Sequence, residues 1–232
     1  MKFDILTIFP NSLDSYFNSS ILARAQKKKL ITIKTHDIRK QSTDKHHKVD
    51  DTPYGGGPGM VIQIEPVYKT LKKVYPRKNK STRVILMSPR GKTFDQNEVK
   101  RLAKYKRLIL IAGHYESIDA RIDNFVDEKI SLGNFVLTGG ELAAACIVDA
   151  VSRLVPGVVG KEESVRDESF SQYDTVSKEF NVEYPQYTRP EIFYPNGKKS
   201  SGGKGYKVPE ILLSGNHNNF KAWRGCQSRR KT

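Results

Sequence analysis

The chain has 232 residues, a net charge of +15 and a pI near 9.7, and 37% of its residues are hydrophobic. This length holds one sizeable domain, or a larger domain with a small one, and the apolar content suffices for a hydrophobic core. Its two cysteines have neither disulfide-scaffold nor zinc spacing, which excludes a disulfide-rich secreted protein and predicts a reducing compartment, the cytoplasm.

The excess of positive charge predicts a polyanionic partner, because Lys and Arg that neutralise phosphates release counterions and drive association. Basic residues concentrate at 198–207 and at 221–232, the second stretch lying around Trp223. Nucleic acid is the leading candidate, although a lysine-rich proteome would give the same net charge. Residues 1–10 lack the apolar core of a signal peptide, and no later stretch is long enough to span a membrane, so we expect no membrane association.

Strand and helix patterns alternate through the first half of the chain. Residues 5–9 (ILTIF) and 30–38 (LITIKTHDI) flank a helical pattern rich in Ala, Arg and Lys. Residues 84–89 (VILMSP) and 107–113 (RLILIAG) flank a polar helix near 95–105. This alternation predicts an α/β domain with a mainly parallel sheet, and the fully apolar run LILIA favours parallel pairing.

Several turns in this half are candidate ligand loops. The run PYGGGPGM at 53–60 suits a phosphate cradle or a flexible turn, but it does not fit G-x-G-x-x-G. The run LMSPRGKT at 86–93 ends like a P-loop, yet Leu86 stands where that motif needs glycine, which excludes a P-loop NTPase. The turns at 88–91 and 113–119 follow strands, where open α/β sheets bind ligands.

The stretch 131–160 joins a glycine-punctuated loop to the most apolar helical pattern of the chain. Gly133 and the pair at 139–140 bracket residues 135–137, and apolar residues occupy nearly every face of 141–154, which predicts a buried helix. Beyond Gly160, charge and proline predict a linker and a small second domain. Helical signals resume at 209–223, with Ser214 or Asn216 as the N-cap.

The runs PYGGGPGM, SPRG, GHYES, VLTGGEL, DAVSRLVPGV, YTRP and VPEILLSGNH, in this order, resemble the TrmD family of bacterial tRNA (guanine-N1)-methyltransferases, of the SPOUT class. The resemblance implies a trefoil-knotted α/β catalytic domain at 1–160 that binds S-adenosylmethionine, although general fold rules argue against knots. It also implies an interdomain linker at 161–176 and a small, mostly helical tRNA-binding domain at 177–232. The family works as a homodimer with composite sites.

Carried over position by position, the resemblance implies a methyl-donor pocket in three loops. Its residues would be Leu86, Met87, Ser88, Pro89, Gly91, Gly113, Tyr115, Glu116, Leu132, Gly133, Asn134, Phe135, Val136, Leu137, Gly139 and Gly140. The reaction of the family methylates N1 of guanosine at position 37 of tRNA, beside the anticodon, and so maintains the reading frame.

The resemblance also implies a general base and a cationic group. Guanine N1 carries a proton at neutral pH, so a base must remove it, and a fixed guanidinium can stabilise the charge that builds at O6. The family has an Asp directly before Ser-Phe, where this chain has Asp167 and Glu168. The aligned position is Glu168, and either acid remains a candidate base. The matching arginine is Arg153.

Three other positions depart from the family pattern. Asn134 stands where Asp is usual, Ser117 where Gly is usual, and Ala143 where Pro is usual. Family members have been linked to Mg²⁺, but no metal-ligand cluster is evident in the sequence, so we predict no protein-bound metal site and leave the dependence on Mg²⁺ open.

Two other functions fit parts of the pattern. A non-catalytic RNA-binding protein of SPOUT-like fold would keep the charge, but its pocket motifs would not need to be intact. A SPOUT methyltransferase acting on ribosomal RNA or on a ribose hydroxyl would not need a carboxylate to deprotonate a base nitrogen. The acids before Ser169 therefore favour guanine N1, provided that one of them enters the site.

Overall fold

A computed structural model describes residues 1–160, 169–170, 173–174, 179–180, 182–195 and 204–228. The chain divides into two compact units, Met1–Glu162 and Glu163–Thr232, which are described separately below. The assignment of a catalytic domain, a linker and a tRNA-binding domain to these parts of the chain stays a prediction.

The first unit alternates strands with helices, as the sequence predicts. Its strands are β1 (Lys2–Thr7), β2 (Thr32–Asp37), β3 (Asp50–Asp51), β4 (Val61–Ile62), β5 (Thr82–Thr93), β6 (Arg107–Ile111), β7 (Ser117–Ile118) and β8 (Glu128–Ser131). Its helices are α1 (Asp14–Phe17), α2 (Ser20–Lys27), α3 (Ile64–Val74), α4 (Gln96–Leu102) and α5 (Glu141–Ser152), with 3₁₀ helices at Ile38–Gln41 and Ala120–Asn124.

A five-stranded sheet in the order β2-β1-β6-β5-β8 forms the centre of this unit. Every neighbouring pair in it is parallel, which confirms the predicted α/β fold with a mainly parallel sheet. A smaller sheet, β3-β4-β7, pairs β3 with β4 antiparallel and β4 with β7 parallel. The trefoil knot stays a prediction.

Hydrophobic residues cover both faces of the central sheet, because side chains alternate along each strand. Phe3 and Ile5 of β1 belong to one buried cluster, which includes most of α5, and Leu6 belongs to another, to which α3 contributes. Residues of β6 divide in the same way, with Leu108 in the first cluster and Ile109 in the second. The sheet is therefore a buried middle layer.

Helix α5 departs from the prediction that it is buried on nearly every face. Most of its residues are buried, but Leu142 is 57% exposed and Cys146, one turn later, is also exposed. These two side chains share one side of the helix, since residues four apart lie above one another. The apolar sequence of α5 thus includes one face that the unit does not cover.

Strand β5 is longer than the sequence pattern indicates. It continues to Thr93, but its register with β8 jumps between Met87 and Lys92, and both of these residues align with Ile130. Residues 88–91 therefore leave the ladder as a bulge within the strand, where the sequence predicts a turn at its end. Gly91 makes this possible, because a Cβ at that position would collide with the backbone of Lys129 and Ile130.

The described part of the second unit contains short strands and helical segments. These are β9 (Tyr173–Asp174), β10 (Glu179–Phe180), β11 (Ile192–Phe193), β12 (Tyr206–Lys207), a 3₁₀ helix at Glu210–Leu213 and α6 (His217–Gln227). Asn216 caps α6, because its Oδ1 accepts hydrogen bonds from the N–H groups of Asn218 and Asn219. Of the two predicted N-caps, Asn216 is the one observed.

Candidate active site

A pocket of about 260 Å³ lies where β5, β6 and β8 lead into loops. Its wall consists of Met87, Ser88, Pro89, Gly113, His114, Tyr115, Glu116, Ser117, Ile130, Ser131, Leu132, Gly133, Phe135, Val136, Leu137, Thr138, Gly139, Gly140 and Ala143. The three loops that the sequence singles out thus line one pocket, beside strand ends of a parallel sheet, the usual ligand position in such folds.

All but three of the predicted methyl-donor residues lie on this wall. The exceptions are Leu86, Gly91 and Asn134. Leu86 is buried and borders a neighbouring cleft, Gly91 packs against β8, and the side chain of Asn134 is exposed. The structure brings the other residues together, and their contact with a methyl donor stays a prediction.

Close backbone approach joins two of these loops. The N–H of Gly140 donates to the carbonyl oxygen of Gly113 over 2.8 Å. A Cβ on Gly140 would lie 2.9 Å from the Cα of Ala112, closer than real Cβ atoms approach, and 3.0 Å from the nitrogen of Gly113. Glycine at position 140 is therefore required for the loops to meet, and it gives the pocket a wall of backbone rather than side chains.

A buried polar cluster, formed by Thr7, His114 and Glu141, supports this wall from behind. The Thr7 hydroxyl donates to Glu141 Oε1 over 2.7 Å and accepts from the N–H of Phe9 over 2.9 Å. Glu141 Oε2 lies 3.7 Å from His114 Nδ1, a buried atom without a hydrogen-bond partner among the described residues. The cluster links the end of β1, the loop after β6 and the first residue of α5.

The sequence interpretation missed these three residues as a group. Thr7 ends an apolar strand and Glu141 begins an apolar helix, so each is a polar residue at the edge of a buried element. Buried polar groups need partners, which is the signal that singles them out. Nothing in the spacing of 7, 114 and 141 indicates that they meet.

The loop after β6 has an unusual backbone. Tyr115 has a φ of 58° and Ser117 has a φ of 151°, both in the region that favours glycine. The N–H of Glu116, between them, donates to the carbonyl of Met60 over 3.1 Å and fixes the loop to the smaller sheet. Such backbone conformations cluster at functional sites.

A larger cleft of about 1150 Å³ adjoins the pocket and shares Ser88, Pro89, Glu116 and Ser117 with it. Its other walls carry charge of both signs, from Asp51, Arg90, Asp119, Arg121 and Lys129. Hydrogen bonds from Arg121 hold the pKa of Asp119 below its ordinary value, so this carboxylate stays ionised. Tyr54, from the predicted glycine-rich loop, is fully exposed at the mouth of the cleft.

The predicted catalytic residues are not part of the pocket wall. Arg153 follows the last residue of α5, whereas the wall contains residues 139, 140 and 143 at the first turn. At 1.5 Å per residue, the backbone of Arg153 lies roughly 20 Å from that of Gly140. Asp167 and Glu168 lie outside the described residues. The first unit of a single chain therefore does not bring Arg153 to its own pocket.

The described residues contain neither a metal-ligand cluster nor a membrane-spanning helix. No group of three or more His, Cys, Asp or Glu side chains there has the arrangement of a metal site. Within the same ranges, no helix combines the length and the apolar character needed to span a membrane.

Comparison with known proteins gives a consistent answer along the whole chain. A family model described as tRNA (Guanine-1)-methyltransferase TrmD matches residues 1–232. A Clostridium botulinum (strain Hall) protein named tRNA (guanine-N(1)-)-methyltransferase is 49% identical over 228 residues, covering 98% of this chain and 87% of the relative. A protein of the same name from Dehalococcoides mccartyi is 45% identical over 233 residues, covering 100% and 87%. The chain belongs to the tRNA (guanine-1)-methyltransferase TrmD family.

Proposed function

We propose that this protein transfers the methyl group of S-adenosylmethionine to N1 of guanosine at position 37 of tRNA, acting in the cytoplasm as a homodimer. The observation that carries the proposal is the match of residues 1–232 to the family, together with relatives named for tRNA guanine-N1 methylation. Methylation beside the anticodon would maintain the reading frame.

The glycine-walled pocket is the proposed donor site. S-adenosylmethionine supplies an electrophilic methyl group when it is bound. Apolar side chains such as Leu132 and Phe135 suit the flat surface of an adenine, and the backbone around Gly113 and Gly140 suits its polar edges. The backbone wall at Gly140, which a Cβ would disrupt, supports this assignment.

The acceptor requires a base and a cation. Glu168 or Asp167 removes the proton from guanine N1, a step typically worth roughly 10²- to 10⁴-fold in rate. The Arg153 guanidinium stabilises the negative charge that builds at O6, where a fixed charge acts strongly once water is excluded.

A homodimer with composite sites accounts for the distance between Arg153 and the pocket of its own chain. In this arrangement Arg153 serves the pocket of the partner. Exposed apolar side chains support such an interface, since Phe135 is 56%, Val136 is 89% and Leu142 is 57% exposed.

Complementation between two inactive variants tests the proposal. Arg153→Ala should lose most methyl transfer while keeping donor affinity, and Gly140→Val should lose donor binding. If the sites are composite, an equal mixture allowed to exchange subunits regains about a quarter of wild-type activity. Half of the dimers are then mixed, and each mixed dimer has one intact site.

Light scattering and calorimetry supply the controls. Each variant alone must form a dimer, and Arg153→Ala must bind S-adenosylmethionine as the wild type does. Activity that stays absent after subunit exchange would contradict composite sites. A loss of donor affinity in Arg153→Ala equal to its loss of activity would contradict the role of Arg153 toward guanine.

A further inference from the structure

An aromatic pair stands out on the second unit. Strands β11 and β12 pair antiparallel, with Phe193 directly opposite Tyr206. The N–H of Val208 donates to the carbonyl of Glu191 over 2.8 Å and extends the ladder by one residue on each strand. Residues directly opposite each other project from the same face, so both rings lie on one side of the strand pair.

The opposite face of this strand pair is the packed one. Ile192 and Tyr194 are partly buried, and both approach to 2.8 Å from the place where a Cβ of Gly205 would stand. Phe193 and Tyr206 alternate with these residues and are 56% and 58% exposed. The rings therefore lie on a backbone that is covered from behind, and they face outward.

Positive charge borders the ring pair. Lys204 Nζ lies 5.9 Å from the centroid of the Tyr206 ring, within the range of a cation–π contact. Lys207, the next residue of β12, is exposed as well, but it lies opposite Ile192 and projects from the other face of the strand pair. Lysine is depleted in the interfaces between proteins, whereas lysine beside exposed aromatic rings is typical of surfaces that bind single-stranded nucleic acid.

We propose that Phe193 and Tyr206 form a stacking platform for unpaired bases of the tRNA substrate. Each ring offers a face to a base, and Lys204 reaches the phosphate beside the stacked nucleotides. Stacking tolerates any base, because every base has an aromatic face, so the platform adds affinity without selecting a sequence. This inference rests on the proposed function, which makes an RNA the substrate.

Four variants separate stacking from apolar contact. Phe193→Ala and Tyr206→Ala should each lower the affinity for a tRNA transcript about tenfold, the loss typical of one stacked base. Phe193→Leu keeps apolar surface but has no ring, and it should lose as much as Phe193→Ala. Phe193→Trp keeps a ring and should bind within about twofold of the wild type. Fluorescence anisotropy of end-labelled tRNA measures all four.

Two controls isolate the effect. Leu213→Ala removes an apolar side chain of similar exposure, 48%, from the same unit and should leave the affinity within about twofold. A blunt RNA duplex of stem length offers no unpaired bases, so the Phe193 and Tyr206 variants should bind it as the wild type does. Circular dichroism and thermal unfolding identify any variant that fails to fold.

The comparison of tRNA with the duplex decides whether the two rings stack on unpaired bases. Equal losses on tRNA and on the duplex would overturn the stacking role, as would an unchanged affinity of both alanine variants for tRNA. Unchanged RNA affinity with an altered oligomeric state by light scattering would make this face a protein interface instead. The wild-type methylation assay is independent of these results, because a failure of the proposed function removes activity on tRNA in the wild type itself.

Discussion

Two buried carboxylates in the first unit have opposite surroundings. Asp4, in the middle of β1, is 5% exposed, and its two oxygens accept hydrogen bonds from His36 over 2.6 Å and from Arg107 over 2.7 Å. Glu141, at the start of α5, is 7% exposed and has a hydroxyl on one oxygen and only a distant imidazole nitrogen, 3.7 Å away, near the other.

The difference indicates that Asp4 stabilises the fold, whereas Glu141 positions the candidate site. Asp4 and its partners connect β1, β2 and β6, and Arg107 also donates to the carbonyl of Val74 at the end of α3. Burial raises the pKa of Asp4, but the hydrogen bonds from His36 and Arg107 outweigh it and hold that pKa below its ordinary value. Glu141, whose partners are fewer, stands instead behind the pocket wall.

The largest expected effect belongs to Asp4. Asp4→Asn should lower the free energy of unfolding by about 3 kcal/mol, because it leaves the buried side of Arg107 without its charged partner. Urea unfolding followed by circular dichroism measures this. Asp14→Asn, an exposed acid of the same unit, should change the free energy by less than about 0.5 kcal/mol. Equal changes in unfolding free energy for the two variants would contradict a stabilising role for Asp4.

The effect of Asp4 should also depend on pH. Since its pKa is lowered in the folded state, its contribution is fully present above the unfolded pKa, near 4, and is lost as pH falls through the lower folded value. The difference in unfolding free energy between wild type and Asp4→Asn should therefore shrink steadily from about pH 5 downward. A difference in unfolding free energy that stays constant down to about pH 2.5 would contradict a lowered pKa of Asp4 in the folded state.

A smaller effect is expected at Glu141, and mainly on donor binding. Glu141→Gln keeps the shape but weakens the acceptor for Thr7, so the Gly139–Gly140 turn loses its support. We expect about tenfold weaker binding of S-adenosylmethionine, or about 1.4 kcal/mol, with kcat at saturating donor nearly unchanged.

Calorimetry with S-adenosylmethionine and steady-state kinetics check the Glu141 prediction. Glu65→Gln, at an exposed carboxylate of α3 that pairs with Lys69, is the matched control and should bind the donor as the wild type does. An unchanged donor affinity in Glu141→Gln, with lower stability, would make Glu141 a structural residue like Asp4.

The smallest expected effect is a gain in stability at Ser117. Ser117→Gly removes a side chain from a backbone with a φ of 151°, and relief of that strain should exceed the entropy cost of the added glycine. The unfolding free energy should rise by about 0.5 to 1 kcal/mol in thermal or urea unfolding. A loss of stability would show that the loop after β6 is not strained at this position.

Local sequence pattern was sufficient where the structure is repetitive. Apolar runs such as 107–113 predicted the parallel sheet, and the polar pattern before α6 predicted a cap at Ser214 or Asn216, of which Asn216 is observed. Local sequence pattern did not predict which side chains are covered by residues distant in the chain. The exposed side of α5 carries Leu142 and Cys146, which are as apolar as the buried residues, so composition does not distinguish them.

The candidate site shows the same limit. Glycines and strand ends predicted which loops line the pocket, because both are local features. The contact of Thr7 with Glu141 spans 134 positions and depends on the order of the strands. The jump in register within β5 depends on contact between Gly91 and β8. The distance from Arg153 to the pocket follows from the length of α5. It could be calculated only once the structure showed that the first turn of α5 lines the pocket.

Transfer of labelled methyl from S-adenosylmethionine to unmodified tRNA transcripts with guanosine or adenosine at position 37 tests the central proposal most directly. The wild type, Glu168→Gln and Asp167→Asn are compared at saturating tRNA. We predict that the wild type labels only the transcript with guanosine at position 37. We also predict that one of the two acid variants loses this label. Label on both transcripts, or none on either despite tight binding of donor and tRNA, would contradict it.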